Sequence, residues 1–99
     1  MTGSTRSSDG LDERRRRLLF RSWHRGIRET DLLLGGFADK HIADLSDAEL
    51  DDYEKLLEVR DHDLYAWVTG EAVVPAGYES ALLDRMRAFH HASRAERPR

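Results

Sequence analysis

Residues 45–50 read LSDAEL, and this short stretch decides the fold. Glu49 follows Ser46 at the spacing of a capping box, in which each side chain accepts a backbone N–H at the start of a helix. Leu45 and Leu50 occupy the two positions of a hydrophobic staple, where the residue before the cap packs against the first turn. The stretch therefore predicts that a helix begins directly after Ser46.

Two helices are predicted before this point. Asp12 is a suitable cap for the first helix, and Gly26 ends it. The second helix is predicted to begin near residues 27–29, and its pair Gly35 and Gly36 marks a weak or closely packed point. The apolar residues that these two helices offer to a core are Leu18, Leu19, Trp23, Leu32, Leu33, Leu34 and Phe37.

Three helices are predicted from residue 46 onward. The third follows the capping box, the fourth begins at Asp61 and stops at Gly70, and Pro75 separates the fourth from the fifth. Their apolar residues recur at helical spacing: Leu50, Tyr53, Leu56, Leu57, Leu64, Trp67, Val68, Tyr78, Leu82, Met86 and Phe89. Because no segment alternates as a strand would, the sequence predicts an all-α fold, a small five-helix bundle.

The length of the chain sets its domain organisation. Ninety-nine residues support one hydrophobic core, so a single domain is predicted, with the helical part at residues 11–91. Residues 1–10 are predicted to form a disordered lead and residues 92–99 a flexible C-terminal tail. No apolar run approaches the roughly 20 residues that span a bilayer. The N-terminus also lacks the apolar centre of a secretory signal, so we expect a cytoplasmic protein that does not bind membranes.

The charges are unevenly placed along the chain. The net charge of −3 argues against a dedicated nucleic-acid binder. The basic run from Arg14 to Arg17 is interpreted as a solvated helix face, and residues 44–63 are strongly acidic. One alternative stays open, a helical nucleic-acid-binding or regulatory module that uses the basic helix from Arg14 to Arg21.

The residue pattern does not indicate catalytic or metal chemistry. The chain has no cysteine, and its histidines lack the paired spacing of a metal site. These histidines are His24, His41, His62, His90 and His91. A second alternative stays open, a small enzyme in which Glu29 works with a histidine as acid and base.

The segment HRGIRETD, residues 24–31, places four charged residues close together: Arg25, Arg28, Glu29 and Asp31. If it forms a corner between two helices, Arg25 lies at a negative helix end and Glu29 at a positive one, where each charge is favoured. The helix ends do not account for four charged residues on one turn. Gly26 would let another surface approach closely, which favours docking.

These residues carry a resemblance. The pattern Arg-Gly-x-x-Glu, here Arg25, Gly26 and Glu29, resembles the hallmark of the succinate dehydrogenase assembly factor family, the SdhE type. A second block, the Asp-x-Asp-Leu-aromatic-x-Trp pattern of residues 61–67, is also similar to that family. The resemblance covers roughly residues 18–89. One departure is Thr30, where an apolar residue is usual, so we expect the packing beneath the motif to differ.

The resemblance implies a five-helix FAD assembly factor without catalytic residues, metal or a cofactor of its own. Such a protein binds the flavoprotein subunit of succinate dehydrogenase, and in some bacteria that of fumarate reductase, and promotes covalent attachment of FAD to it. It would act as a monomer by stabilising the attachment-competent conformation. The resemblance assigns partner binding to Arg25, Gly26 and Glu29, with a rim of Trp23, His24, Arg28 and Asp31.

Overall fold

The computed structural model describes residues 10–96. Within that range the chain forms five α-helices and two short 3-10 turns, without a strand, which confirms the predicted all-α five-helix fold. The helices are α1 (Glu13–Trp23), α2 (Arg28–His41), α3 (Asp47–Leu57), α4 (Asp61–Thr69) and α5 (Ala81–Glu96). Most of the predicted N-terminal lead and the last residues of the predicted tail, 1–9 and 97–99, lie outside the described residues.

The helices begin and end at the capping groups that the sequence displays. The Asp12 carboxylate accepts the backbone N–H of Arg15 at 3.1 Å. At α3 both halves of the capping box are present, because the Ser46 hydroxyl accepts the N–H of Glu49 at 3.1 Å and the Glu49 carboxylate accepts that of Ser46 at 2.9 Å. Gly70 ends α4 with a left-handed φ of 85°. These predicted boundaries are confirmed.

The fifth helix differs from the prediction at both ends. Tyr78 lies in a 3-10 turn, and α5 begins at Ala81, where the Ser80 hydroxyl accepts the N–H of Leu83 at 3.1 Å. At the other end α5 continues to Glu96, five residues past the predicted boundary at 91. Residues 92–96 contain neither glycine nor proline, so nothing in this stretch stops the helix. The tail was therefore predicted to begin too early.

Only half of the basic run of α1 is the solvated face that its sequence suggested, since Arg16 and Arg17 are exposed but Arg14 and Arg15 are partly buried. Arg14 pairs with Glu54 at 2.9 Å and with Asp51 at 2.6 Å, both on α3. The Arg15 side chain donates to the backbone carbonyl of Ile42 at 3.0 Å and to that of Leu45. The fold brings the acidic helix alongside the basic one, so these arginines join α1 to α3 and to the connection that precedes it.

One buried core lies between the helices. Its fully buried large side chains are Tyr53, Phe37, Leu18, Leu34, Ile42, Leu45, Leu50, Leu56, Leu64, Leu82, Leu83 and Met86. Trp67 is 8% exposed and belongs to this core, as its spacing predicted. The Ser22 hydroxyl lies 2.7 Å from the carbonyl oxygen of Leu18 and shares a hydrogen bond with the Tyr53 hydroxyl. Burial raises the pKa of Tyr53, so this phenol stays a neutral donor.

In the described part of the chain, no helix is both long and apolar enough to cross a membrane.

The closest approach between α1 and α2 depends on Gly35. The Trp23 ring lies directly against this glycine, and a Cβ atom there would be 2.2 Å from ring atom Cδ2. The Trp23 indole N–H donates to the Asp39 carboxylate at 3.1 Å, which holds the ring in place. The closely packed point predicted at Gly35 is therefore the place where the Trp23 ring packs against α2.

We expect Gly35→Ala to destabilise the protein. Alanine in a helix interior is ordinarily favoured over glycine by about 1 kcal/mol. Here the added methyl group overlaps the Trp23 ring, and overpacking of this kind typically costs about 1 to 3 kcal/mol. Gly36→Ala is the matched control, because its Cβ would meet the far end of the Phe89 ring at 3.1 Å and only that side chain has to move. Urea unfolding of both variants measures the difference in their stability. Equal unfolding midpoints would contradict the close packing of the Trp23 ring against Gly35.

Candidate functional site

The corner between α1 and α2 has an open front. Gly26 has a φ of 105°, a conformation that side-chain-bearing residues rarely adopt. A Cβ atom on Gly26 would have no other atom within 4 Å, so the space before it is free. Behind the glycine, the backbone N–H of Arg25 donates to the Asp31 carboxylate at 2.7 Å. The corner is thus braced from within and accessible from outside.

The Arg25 side chain is a clamp between the corner and the α3–α4 junction. Its Nε donates to the Asp61 carboxylate at 2.6 Å, and its two terminal nitrogens donate to the backbone carbonyls of Leu57 and Val59. The side chains of Arg25 and Asp61 are only 10% and 16% exposed. All three nitrogens of the guanidinium therefore have partners inside the fold. The resemblance assigned Arg25 to partner contact, whereas its geometry makes it a positioning residue.

The other residues that the resemblance assigned to the site divide in the same way. Trp23 is 7% exposed and lies beneath the corner, so it supports the surface from below and does not form its rim. Asp31 is half-buried and occupied by the backbone of Arg25. Four of the assigned residues are exposed: His24, Gly26, Arg28 and Glu29. Among the residues that the structure describes, the side chains of Arg28 and Glu29 have no hydrogen-bond or ion-pair partner.

Thr30, where an apolar residue was expected from the resemblance, lies beneath the motif. This residue is buried in the first turn of α2, and its hydroxyl has no hydrogen-bond partner within the described structure. An unpaired buried hydroxyl is unfavourable for stability, and an apolar residue of the same shape would avoid that cost. Thr30, the residue that carries this cost, lies in the first turn of α2, directly after the exposed corner.

An open groove of about 760 Å³ adjoins the corner. Its lining comes from α1, the corner, the end of α3 and the start of α4: Phe20, Arg21, His24, Arg25, Ile27, Leu57, Arg60, Asp61 and His62. The Phe20 ring stacks on the His24 ring with 3.8 Å between centroids. His24 Nδ1 lies 2.6 Å from the carbonyl oxygen of Phe20, a distance at which an N–H there donates to it. The Arg25 clamp fixes the distance between the two walls.

Sequence reasoning missed most of this groove. Phe20 is adjacent to Leu18 and Leu19 in the chain but points away from the core and is 62% exposed. Ile27 is 42% exposed, and Leu32 is exposed one turn beyond Arg28 on α2. Of the four exposed large hydrophobic residues in the described part of the chain, Phe20 and Ile27 line the groove, whereas Leu32 and Val73 do not. The signal available in the sequence was a large apolar residue, Phe20, that lies outside the apolar face of its helix.

The arrangement is suited to binding another surface. It combines exposed apolar side chains with free charges on a braced backbone. Residues 10–96 contain no group of three or more histidine, aspartate or glutamate side chains that could hold a metal ion. The Asp61 carboxylate accepts a hydrogen bond from Arg25 Nε at 2.6 Å, so it is not free to coordinate a cation.

The fold and the site define a small α-helical domain built around an Arg-Gly-x-x-Glu corner. Residues 16–90 match the family model described as "Flavinator of succinate dehydrogenase". The chain belongs to this family, as the resemblance predicted.

Curated relatives from yeasts and a bacterium are similar to the chain. It is 50% identical over 64 residues to succinate dehydrogenase assembly factor 2, mitochondrial, of Candida glabrata, covering 65% of this chain and 42% of that protein. It is 47% identical over 64 residues to the Saccharomyces cerevisiae protein of the same name, covering 65% and 40%. It is 41% identical over 80 residues to the FAD assembly factor SdhE of Acetobacter pasteurianus, covering 81% and 73%. The chain thus spans less than half the length of the yeast relatives.

We expect Arg25→Met to destabilise the fold. Methionine keeps the length of the side chain but leaves Asp61 and two backbone carbonyls without their donor, at a cost of about 3 kcal/mol. Arg17→Met is the matched control, because Arg17 forms an exposed pair with Glu13 at 3.3 Å and its loss should cost less than about 1 kcal/mol. Thermal unfolding compares the two variants. If both melt at the same temperature, the clamp does not hold the corner.

Proposed function

We propose that this chain binds the flavoprotein subunit of succinate dehydrogenase and promotes the covalent attachment of FAD to it. Membership of the flavinator family supports this function. The observation that carries it is the exposed corner, where Gly26 leaves open space and Glu29 has no partner among the described residues. An exposed carboxylate without a partner, beside an open glycine, is available to pair with a donor on a second surface.

The motif divides its work between contact and support. Gly26, Glu29, Arg28 and His24 meet the flavoprotein, and Glu29 pairs with a basic or hydrogen-bond donor group there. Arg25 holds these residues against α3 and α4. Asp31 and Trp23 fix the backbone and the helix pair beneath them. Because the surface is formed before binding, little conformational entropy is lost when the partner docks.

The chain needs no catalytic group for this role. The reacting histidine and the flavin belong to the flavoprotein, which supplies the bond-forming chemistry when FAD is bound. The corner residues act by binding the attachment-competent conformation of that subunit more tightly than its other conformations, which raises the population of the competent form. The role is that of an assembly factor.

The proposal extends to clients, oligomeric state and location. A second client is the flavoprotein subunit of fumarate reductase, and the chain acts as a cytoplasmic monomer. A pull-down from native cell extract, with each flavoprotein identified by mass spectrometry, tests the clients. The nucleic-acid alternative loses support, because Arg14 and Arg21 are already paired with acids of α3 and its end.

We expect Gly26→Arg to abolish binding of the flavoprotein while the bundle stays folded. The backbone strain at φ 105° costs about 1 to 2 kcal/mol, and the long side chain fills the open space before the corner. Gly26→Ala is the matched control, because it carries the same strain with little bulk. Circular dichroism and a pull-down on the same samples separate the effects. Loss of helicity in both variants would make Gly26 a structural residue and remove its docking role.

We expect Glu29→Gln to weaken binding in a way that excess protein overcomes. The amide keeps the shape of the side chain but removes its charge, so complex formation needs a higher concentration and flavin attachment recovers at saturation. A catalytic base would behave in the opposite way, with normal binding and slow attachment at every concentration. Covalent flavin fluorescence of the flavoprotein in a denaturing gel, titrated with each form, decides between them.

A further inference from the structure

We infer that the groove beside the corner binds an acidic segment of the partner protein, one that carries a carboxylate next to a large apolar side chain. The inference rests on the proposed function and adds a second contact region to it. It concerns Phe20, Ile27 and Arg60, which lie outside the Arg-Gly-x-x-Glu pattern or in its variable positions.

The free charge of the groove is positive. Two of its arginines are already neutralised, Arg25 by Asp61 at 2.6 Å and Arg21 by Glu58 at 2.9 Å. Arg60 also lines the groove, is exposed, and has no hydrogen-bond or ion-pair partner among the described residues. Since the lining acid is occupied, a ligand in the groove meets one unpaired guanidinium and two imidazoles, those of His24 and His62. This charge pattern fits a carboxylate.

The apolar part of the groove fixes the second half of the ligand. Phe20 and Ile27 expose much of their side chains, and Leu57, a buried core residue, also lines the groove. The stacking of Phe20 on His24 holds the aromatic ring in one orientation. A rigid aromatic wall beside a cation is typical of a pocket that anchors an apolar side chain with an acidic neighbour. A volume of about 760 Å³ accommodates a few residues of a peptide.

The residues of the given sequence that lie outside the described range, 1–9 and 97–99, do not have that chemistry. Residues 1–9 contain one acid, Asp9, and no aromatic residue, and residues 97–99 are Arg-Pro-Arg, which the groove would repel. A segment of a different protein is therefore the occupant that the charges favour. A second copy of the chain as occupant would be detected by the same cross-link.

Two variants of the groove measure its contribution. Arg60→Glu reverses the free charge, and we expect affinity for the purified flavoprotein subunit to fall about tenfold or more. Phe20→Ser removes the aromatic wall and should cause a loss of similar size. Lys40→Glu and Val73→Ser are the matched controls, because these residues are exposed and do not line the groove. Normal circular dichroism is required of all four. Groove variants that bind like the controls would overturn the inference.

A cross-link identifies the occupant. Arg60→Lys keeps the positive charge and adds an amine, which a carbodiimide joins to a carboxylate in direct contact. We expect a cross-link from residue 60 to an acidic residue of the flavoprotein that neighbours a large apolar residue. Lys40 should give no such product. A complex that forms without this cross-link contradicts the groove but leaves the proposed function standing.

Two further outcomes are separable. A cross-link from residue 60 to another copy of this chain would assign the groove to self-association and overturn the inference. If the unmodified protein does not bind the flavoprotein subunit at all, the proposed function fails, and the groove inference fails with it.

Discussion

The Arg25 clamp is the interaction on which the candidate site depends. One guanidinium joins the end of α1 to the junction between α3 and α4, two parts of the chain that are more than thirty positions apart in sequence. Without it, the corner would be tied to the bundle mainly through the backbone bond to Asp31. The family pattern thus combines two roles, since its arginine serves the fold while its glycine and glutamate face outward. The pattern therefore includes both the residues that face outward and the arginine that holds them in position.

Many of the charged residues that are unevenly placed along the sequence form ion pairs with one another within the fold. Arg14 and Arg21 reach across to acids of α3 and its end, and Arg85 on α5 pairs with Glu49 at 2.6 Å. Contacts with the Ser46 N–H and with Arg85 lower the pKa of the Glu49 carboxyl, so the capping box stays charged in mildly acidic solution. Because these pairs satisfy one another, the few charges left free around the corner stand out in the electrostatic field of the surface.

Local signals predicted most of the fold and part of the candidate site. Caps such as Ser46 and Asp12 act within one turn, so their helix starts were visible in the sequence. The Arg25 contacts were not, because they join residues more than thirty positions apart. The same reason explains why Arg14 was expected in solvent, whereas the helical spacing predicted Trp23 in the core and only the resemblance placed it on the rim. The groove was missed since two distant stretches of the chain, residues 20–27 and 57–62, build it.

The positions of the two tryptophans have a spectroscopic consequence. Trp23 lies beneath the corner against Gly35, whereas Trp67 packs near Tyr78, with 5.0 Å between ring centroids. The indole beneath the corner is shielded from water and hydrogen-bonded to a carboxylate, an environment that sets its emission wavelength. The chain therefore contains an intrinsic optical reporter under its candidate docking surface and a second indole, elsewhere in the core, as an internal reference.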